Sequence, residues 1–69
     1  MRPTYYVHAS RPTERKVVRC SAAWIAVEQR DRLIRQGWKV VILDASAKPV
    51  SYEDLVELML AEGRAPKAT

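Results

Sequence analysis

The apolar positions of this chain switch between strict alternation and helical spacing, and each switch marks an element. Residues 4–10 (TYYVHAS) alternate, with Tyr5, Val7 and Ala9 on one face and Thr4, Tyr6, His8 and Ser10 on the other. Aromatic and β-branched residues at a period of two predict a strand. Arg11-Pro12-Thr13-Glu14 reads as a polar turn, since Pro12 has no N–H with which to extend a central strand. Residues 16–20 (KVVRC) make a second strand. It runs antiparallel to the first, because so short a loop cannot make a crossover.

The spacing then becomes helical. Ser21 is a candidate N-cap, residues 22–36 form the helix, and Gly37 stands where a left-handed terminator is wanted, with Arg35 facing the negative end of the dipole. At about 100° per residue, Ala22, Ala23, Ala26, Val27, Leu33 and Ile34 share one arc with Trp24 at its edge. Glu28, Gln29, Arg32, Arg35 and Gln36 fill the opposite side, so the helix packs one face on the sheet.

Residues 38–44 (WKVVILD) are the third strand, and the unbroken run Val40, Val41, Ile42, Leu43 predicts a strand covered on both sides. Ala45 to Lys48 turns the chain, and Lys48-Pro49-Val50 is placed to add a short edge strand. Ser51 stands three residues before Asp54 in a capping box, flanked by Val50 and Leu55 as a hydrophobic staple, so a second helix is expected over residues 52–62. Gly63 ends it, and residues 64–69 (RAPKAT) are expected to be a flexible tail.

These elements predict an α+β fold of order ββαβα, with a small three-stranded mixed sheet in strand order 2-1-3. One helix lies on the sheet and a capped C-terminal helix follows. A right-handed crossover through the first helix makes the second and third strands parallel, with the first strand between them. The order 1-2-3 is the alternative. Residues 1–63 are expected to form one domain.

Size changes this picture. A chain of 69 residues buries only about 60% of its unfolded surface, which leaves its core marginal without help. The single cysteine, Cys20, has no internal disulfide partner, and no four-ligand metal cluster is present. No cofactor or metal is therefore expected, and the remaining source of extra stability is a partner. The first ten residues lack the apolar core of a secretory leader, and no apolar run approaches the ~20 residues that cross a bilayer. With an unpaired Cys20, the expectation is a cytoplasmic protein that does not engage a membrane.

The charge is segregated. Residues 1–50 hold ten Lys or Arg against four Asp or Glu, whereas residues 51–63 hold four acids and no base. The net charge of +4 thus combines a basic body with an acidic helix, which suits a polyanion or pairing between copies.

Candidate chemistry is sparse. His8 and Cys20 would have to meet across strands to act as base and nucleophile, and no oxyanion donors or third group accompany them. Glu53 and Glu57 share a helical face, but near a helix N-terminus they read as a solvated acidic surface. No catalytic residue is assigned. Arg30 falls at the centre of the first helix's apolar arc. Its stem is expected along the sheet with the guanidinium reaching past the edge, and the alternatives are a pair with Asp44 or an anion site. Tyr5, Tyr6, His8, Arg19 and Lys39 resemble a surface for single-stranded nucleic acid, in which aromatic rings stack on bases and cations meet phosphates. In the second helix Tyr52, Leu55, Val56, Leu58, Met59 and Leu60 cover an arc near 200°, wider than one-sided packing needs. Leu55, Leu58 and Met59 are its candidate partner face. The expected function is a non-enzymatic interaction module working through protein contact or self-association as a homodimer. A small basic nucleic-acid-binding protein is the alternative.

Overall fold

The computed structural model describes residues 3–64, so residues 65–69 of the expected tail lie outside the described residues. Arg64 is described and is held: its N–H donates to the Met59 carbonyl at 3.1 Å, and its guanidinium stacks over Trp24 at 4.3 Å. Five elements follow in the order β1 (Tyr5–Arg11), β2 (Glu14–Cys20), α1 (Ala23–Arg35), β3 (Lys39–Asp44) and α2 (Tyr52–Ala61). The hairpin is tighter than expected, because both strands continue to a two-residue turn at Pro12 and Thr13. Arg11 pairs with Glu14 across that turn, in the ladder and through an ion pair at 3.8 Å.

The strand order is β2-β1-β3, with β1 in the centre. β2 and β3 point the same way but are separated by β1, so both hydrogen-bonded ladders are antiparallel and the sheet is not the mixed one expected. Beyond β3 the chain folds back: Leu43 bridges Pro49, and the Val50 N–H donates to the Ile42 carbonyl at 2.8 Å. The expected edge strand is reduced to this bridge. The turn that makes it is built on Asp44, whose Oδ1 accepts from the Ser46 and Lys48 N–H groups at 2.8 and 3.0 Å. Ala47 takes the left-handed conformation there, with φ 62°.

Among the described residues, only one sheet face is covered. Tyr5, Val7, Ala9, Cys20 and Ile42 point into a core shared with Ala23, Ala26, Val27 and Leu33 of α1 and with Leu55 and Met59 of α2. Both helices therefore lie side by side on the same layer. The Cα trace measures 36 × 31 × 16 Å, and the short axis has room for one sheet and one helical layer. The apolar run of β3 is correspondingly covered on one side rather than two, with Ile42 buried and Val41 55% exposed. On α1 the expected arc is rotated: Ile34 is 44% exposed, while Ile25 packs against the core.

The two helix starts are capped in different ways. At α2 the Ser51 hydroxyl accepts from the Asp54 N–H at 3.1 Å, as the capping box requires. At α1 the N-cap position is Ala22 rather than Ser21, and no side chain of that segment caps it. Its first N–H groups are satisfied from a distance in sequence: Ala23 and Trp24 donate to the two carboxylate oxygens of Glu62 at 2.9 and 3.1 Å. The end of α2 thereby fixes the start of α1, and a carboxylate at a helix N-terminus also meets the positive end of the dipole. Among the described residues, no helix is long and apolar enough to cross a membrane.

Candidate interaction surface

The register of the two ladders puts three rows of side chains on the uncovered face. Tyr6 lies between Arg19 and Leu43, His8 between Val17 and Val41, and Ser10 between Arg15 and Lys39. Val17 and Val41 are each 55% exposed. His8, Arg15, Arg19 and Lys39 are exposed, whereas Tyr6, Ser10 and Leu43 are half-buried. Three cations thus surround an apolar and aromatic centre, and no carboxylate stands in any of the rows. At the hairpin end this surface runs into a cleft of about 620 Å³ whose wall includes Ser10, Arg15, Gly37 and Lys39 together with the carboxylate of Glu14. Arg11, on the same rim, is committed elsewhere: it stacks on Trp38 at 4.2 Å and donates to the Gln36 carbonyl.

Four of the five residues expected to form a nucleic-acid surface lie together on this face: Tyr6, His8, Arg19 and Lys39. Tyr5 does not belong with them. The alternation of β1 sends it to the core, where it is 6% exposed. Burial, then the charges of Glu62 and Asp44, push its phenol pKa up from the usual tyrosine value. Arg15, Val17, Val41, Leu43 and Ser10 complete the surface and were not singled out from the sequence. The parity of Tyr6, carried across the hairpin, is the signal that identifies Arg15 and Val17.

The other candidates fall apart or find structural roles. His8 and Cys20 stand on opposite faces, since Cys20 pairs with Tyr5 in the ladder and is fully buried. Burial also pushes the Cys20 thiol pKa up, which opposes the thiolate that nucleophilic attack needs. The expected partner face of α2 is corrected: Leu55 and Met59 are 0% and 3% exposed and belong to the core, leaving Leu58 at 41% exposure. Leu60, 53% exposed, lies two positions further on and so turns away from Leu58. Arg30 is not paired with Asp44, which is occupied by its turn. Its guanidinium lies over the Tyr52 ring at 4.1 Å and contacts Asp31 at 2.9 Å, tying the middle of α1 to the first turn of α2. Glu57 joins Asp44 and Asp54 around a separate cleft of about 640 Å³ between β3 and α2. Among the described residues, no group of three or more His, Cys, Asp or Glu side chains is placed to hold a metal ion.

Comparison of the chain with protein-family models, curated proteins and solved structures finds no match.

Proposed function

We propose that the chain is a small non-enzymatic interaction module whose working surface is the open face of the sheet, and that this face takes an anionic partner. The observation that supports this reading is the composition of the face: Arg15, Arg19 and Lys39 around exposed Val17 and Val41, with no acid among them. Cations without counter-charges on a flat surface attract an anion from a distance, and the apolar centre holds it at short range. Amide chemical shifts recorded on titration with inorganic polyphosphate test the reading. Shifts are expected at Arg15, Arg19 and Lys39 and their strand neighbours. Shifts confined to α2, or none at all, would overturn it.

A second copy of the chain is the rival partner, favoured by two observations. Leu58 remains 41% exposed on α2, and the outer edge of β2 has no strand beside it among the described residues. An unpaired edge strand offers its backbone groups to another chain. Sedimentation at hundreds of micromolar, for the wild type and for Leu58→Glu, separates the routes. A wild-type dimer that the substitution dissociates places the contact on α2, and one that it leaves intact points to the β2 edge.

A further inference from the structure

We infer that the partner of the open face is single-stranded nucleic acid, an inference that rests on the reading of that face as an anion-binding surface. The central strand carries Tyr6 and His8 two positions apart on the uncovered side. That spacing sets their rings roughly 7 Å apart along the strand, so that each can meet a separate base. Arg19 lies beside Tyr6 at one end, and Arg15 and Lys39 flank Ser10 at the other. A strand laid along β1 would place bases on the two rings and phosphates beside the three cations. Every base has a π-face, so stacking of this kind tolerates sequence, and the surrounding cations act on the backbone alone.

Two features select a single strand. The face is a ladder of three strands with α1 and α2 on its other side, so no helix is presented to a groove, and a duplex keeps its bases stacked inside where the rings do not reach. Glu14, which borders the hairpin-end cleft, is ion-paired with Arg11 at 3.8 Å, and other carboxylates are engaged outside the three rows. Asp44 is held in its turn, Asp54 and Glu57 border the cleft beside α2, and Glu62 caps α1. A protein partner would equally use Val17 and Val41, but it gives no reason for three cations without one acid, whereas a phosphate backbone does.

Fluorescence anisotropy with labelled oligo-dT and oligo-U, a duplex of the same length, and inorganic polyphosphate as competitor provides the test. The single strands are expected to bind more tightly than the duplex, with log K falling linearly in log salt concentration. Arg15→Ala, Arg19→Ala and Lys39→Ala should each flatten that slope by about 0.7. Tyr6→Leu keeps the apolar bulk and removes the stacking ring. It should weaken oligonucleotide binding by about 5- to 150-fold at an unchanged salt slope, while leaving polyphosphate binding as it was. His8→Ala, on an exposed position, gives the same comparison should Tyr6→Leu disturb the fold, which circular dichroism reports. Polyphosphate and oligonucleotide binding that neither substitution separates would overturn the nucleic-acid inference and leave the anion-binding face standing. Equal affinity for the duplex would also overturn it. Failure to bind either polyanion at low salt would overturn both readings, and a concentration-dependent dimer would then assign the face or the β2 edge to a second copy.

Discussion

The two faces of the sheet share every backbone hydrogen bond and differ in almost everything else. Toward the helices point Val7, Ala9, Cys20 and Ile42, none more than 5% exposed. Toward solvent point Tyr6, His8, Val17 and Val41 with three cations around them. Adjacent residues of one strand therefore sit in opposite environments. The first face explains why the chain folds, and the second is more apolar than folding requires. Exposed β-branched residues suit a strand wherever they stand, but Val17 and Val41 flank the same central residue, and the cations are arranged around that row.

Substituting neighbours on β3 tests this contrast most severely. Ile42→Ala removes buried methyl and methylene groups from a small core whose one cysteine has no internal disulfide partner, and should cost about 2–5 kcal/mol. In so small a domain that is enough to leave much of the chain unfolded. Val41→Thr keeps β-branching one position away and should change stability by no more than about 0.5 kcal/mol. Chemical denaturation of both variants measures the difference. Comparable losses would mean that the second face is also buried, under a partner or in a dimer.

The next effect concerns how the covering layer is held in place. Glu62→Ala leaves the N–H groups of Ala23 and Trp24 without their acceptors and should cost about 0.5–2 kcal/mol, the usual range for a lost helix cap. Glu62→Gln retains one acceptor oxygen and should lose less. Thermal melts order the three proteins, and an alanine variant as stable as the wild type would show that solvent satisfies the α1 terminus equally well.

Glu62 also shows where sequence reasoning stops. The strands, their order and the α2 cap were legible because each rests on local chemistry: alternation in TYYVHAS, the proline turn, Ser51 three residues before Asp54. The cap of α1 was not, because its acceptor stands 39 residues away from Ala23 and nothing near Ser21 announces it. For the same reason the partners of Arg30 came out differently from expectation. A helical arc tells which way its stem points, but Tyr52 reaches it only once α2 has docked. The wide apolar arc of α2 misled differently. Periodicity counts apolar residues without knowing how much surface awaits them, and the core that α2 shares with α1 and the sheet takes in only Leu55 and Met59 fully. The open face was half legible. Tyr6 and His8 carried their own signal, Arg15 and Val17 follow from that parity across the hairpin, and Val41 needed the β1–β3 register that only the folded ladder supplies.

Tyr5 and Tyr6 offer the finest test, since the two rings differ only in which face they occupy. Tyr5 is buried, and burial together with Glu62 and Asp44 disfavours its phenolate, so its pKa in the folded chain lies above the usual tyrosine value. The unfolded chain releases this proton first as pH rises, and from there upward the folded state holds more protons than the unfolded one. The stabilisation is therefore fully present below the unfolded pKa and is lost as pH climbs through the folded value. Denaturation midpoints should accordingly decline on the alkaline side of that pKa. Tyr5→Phe should flatten the decline, after allowance for the constant change the substitution makes at neutral pH. Cys20, whose thiol is also raised by burial, adds a slope of the same sign starting at lower pH, which Cys20→Ala removes independently. An undiminished decline in Tyr5→Phe would mean that water reaches the covered face as well, and the distinction from the face of Tyr6 would fail.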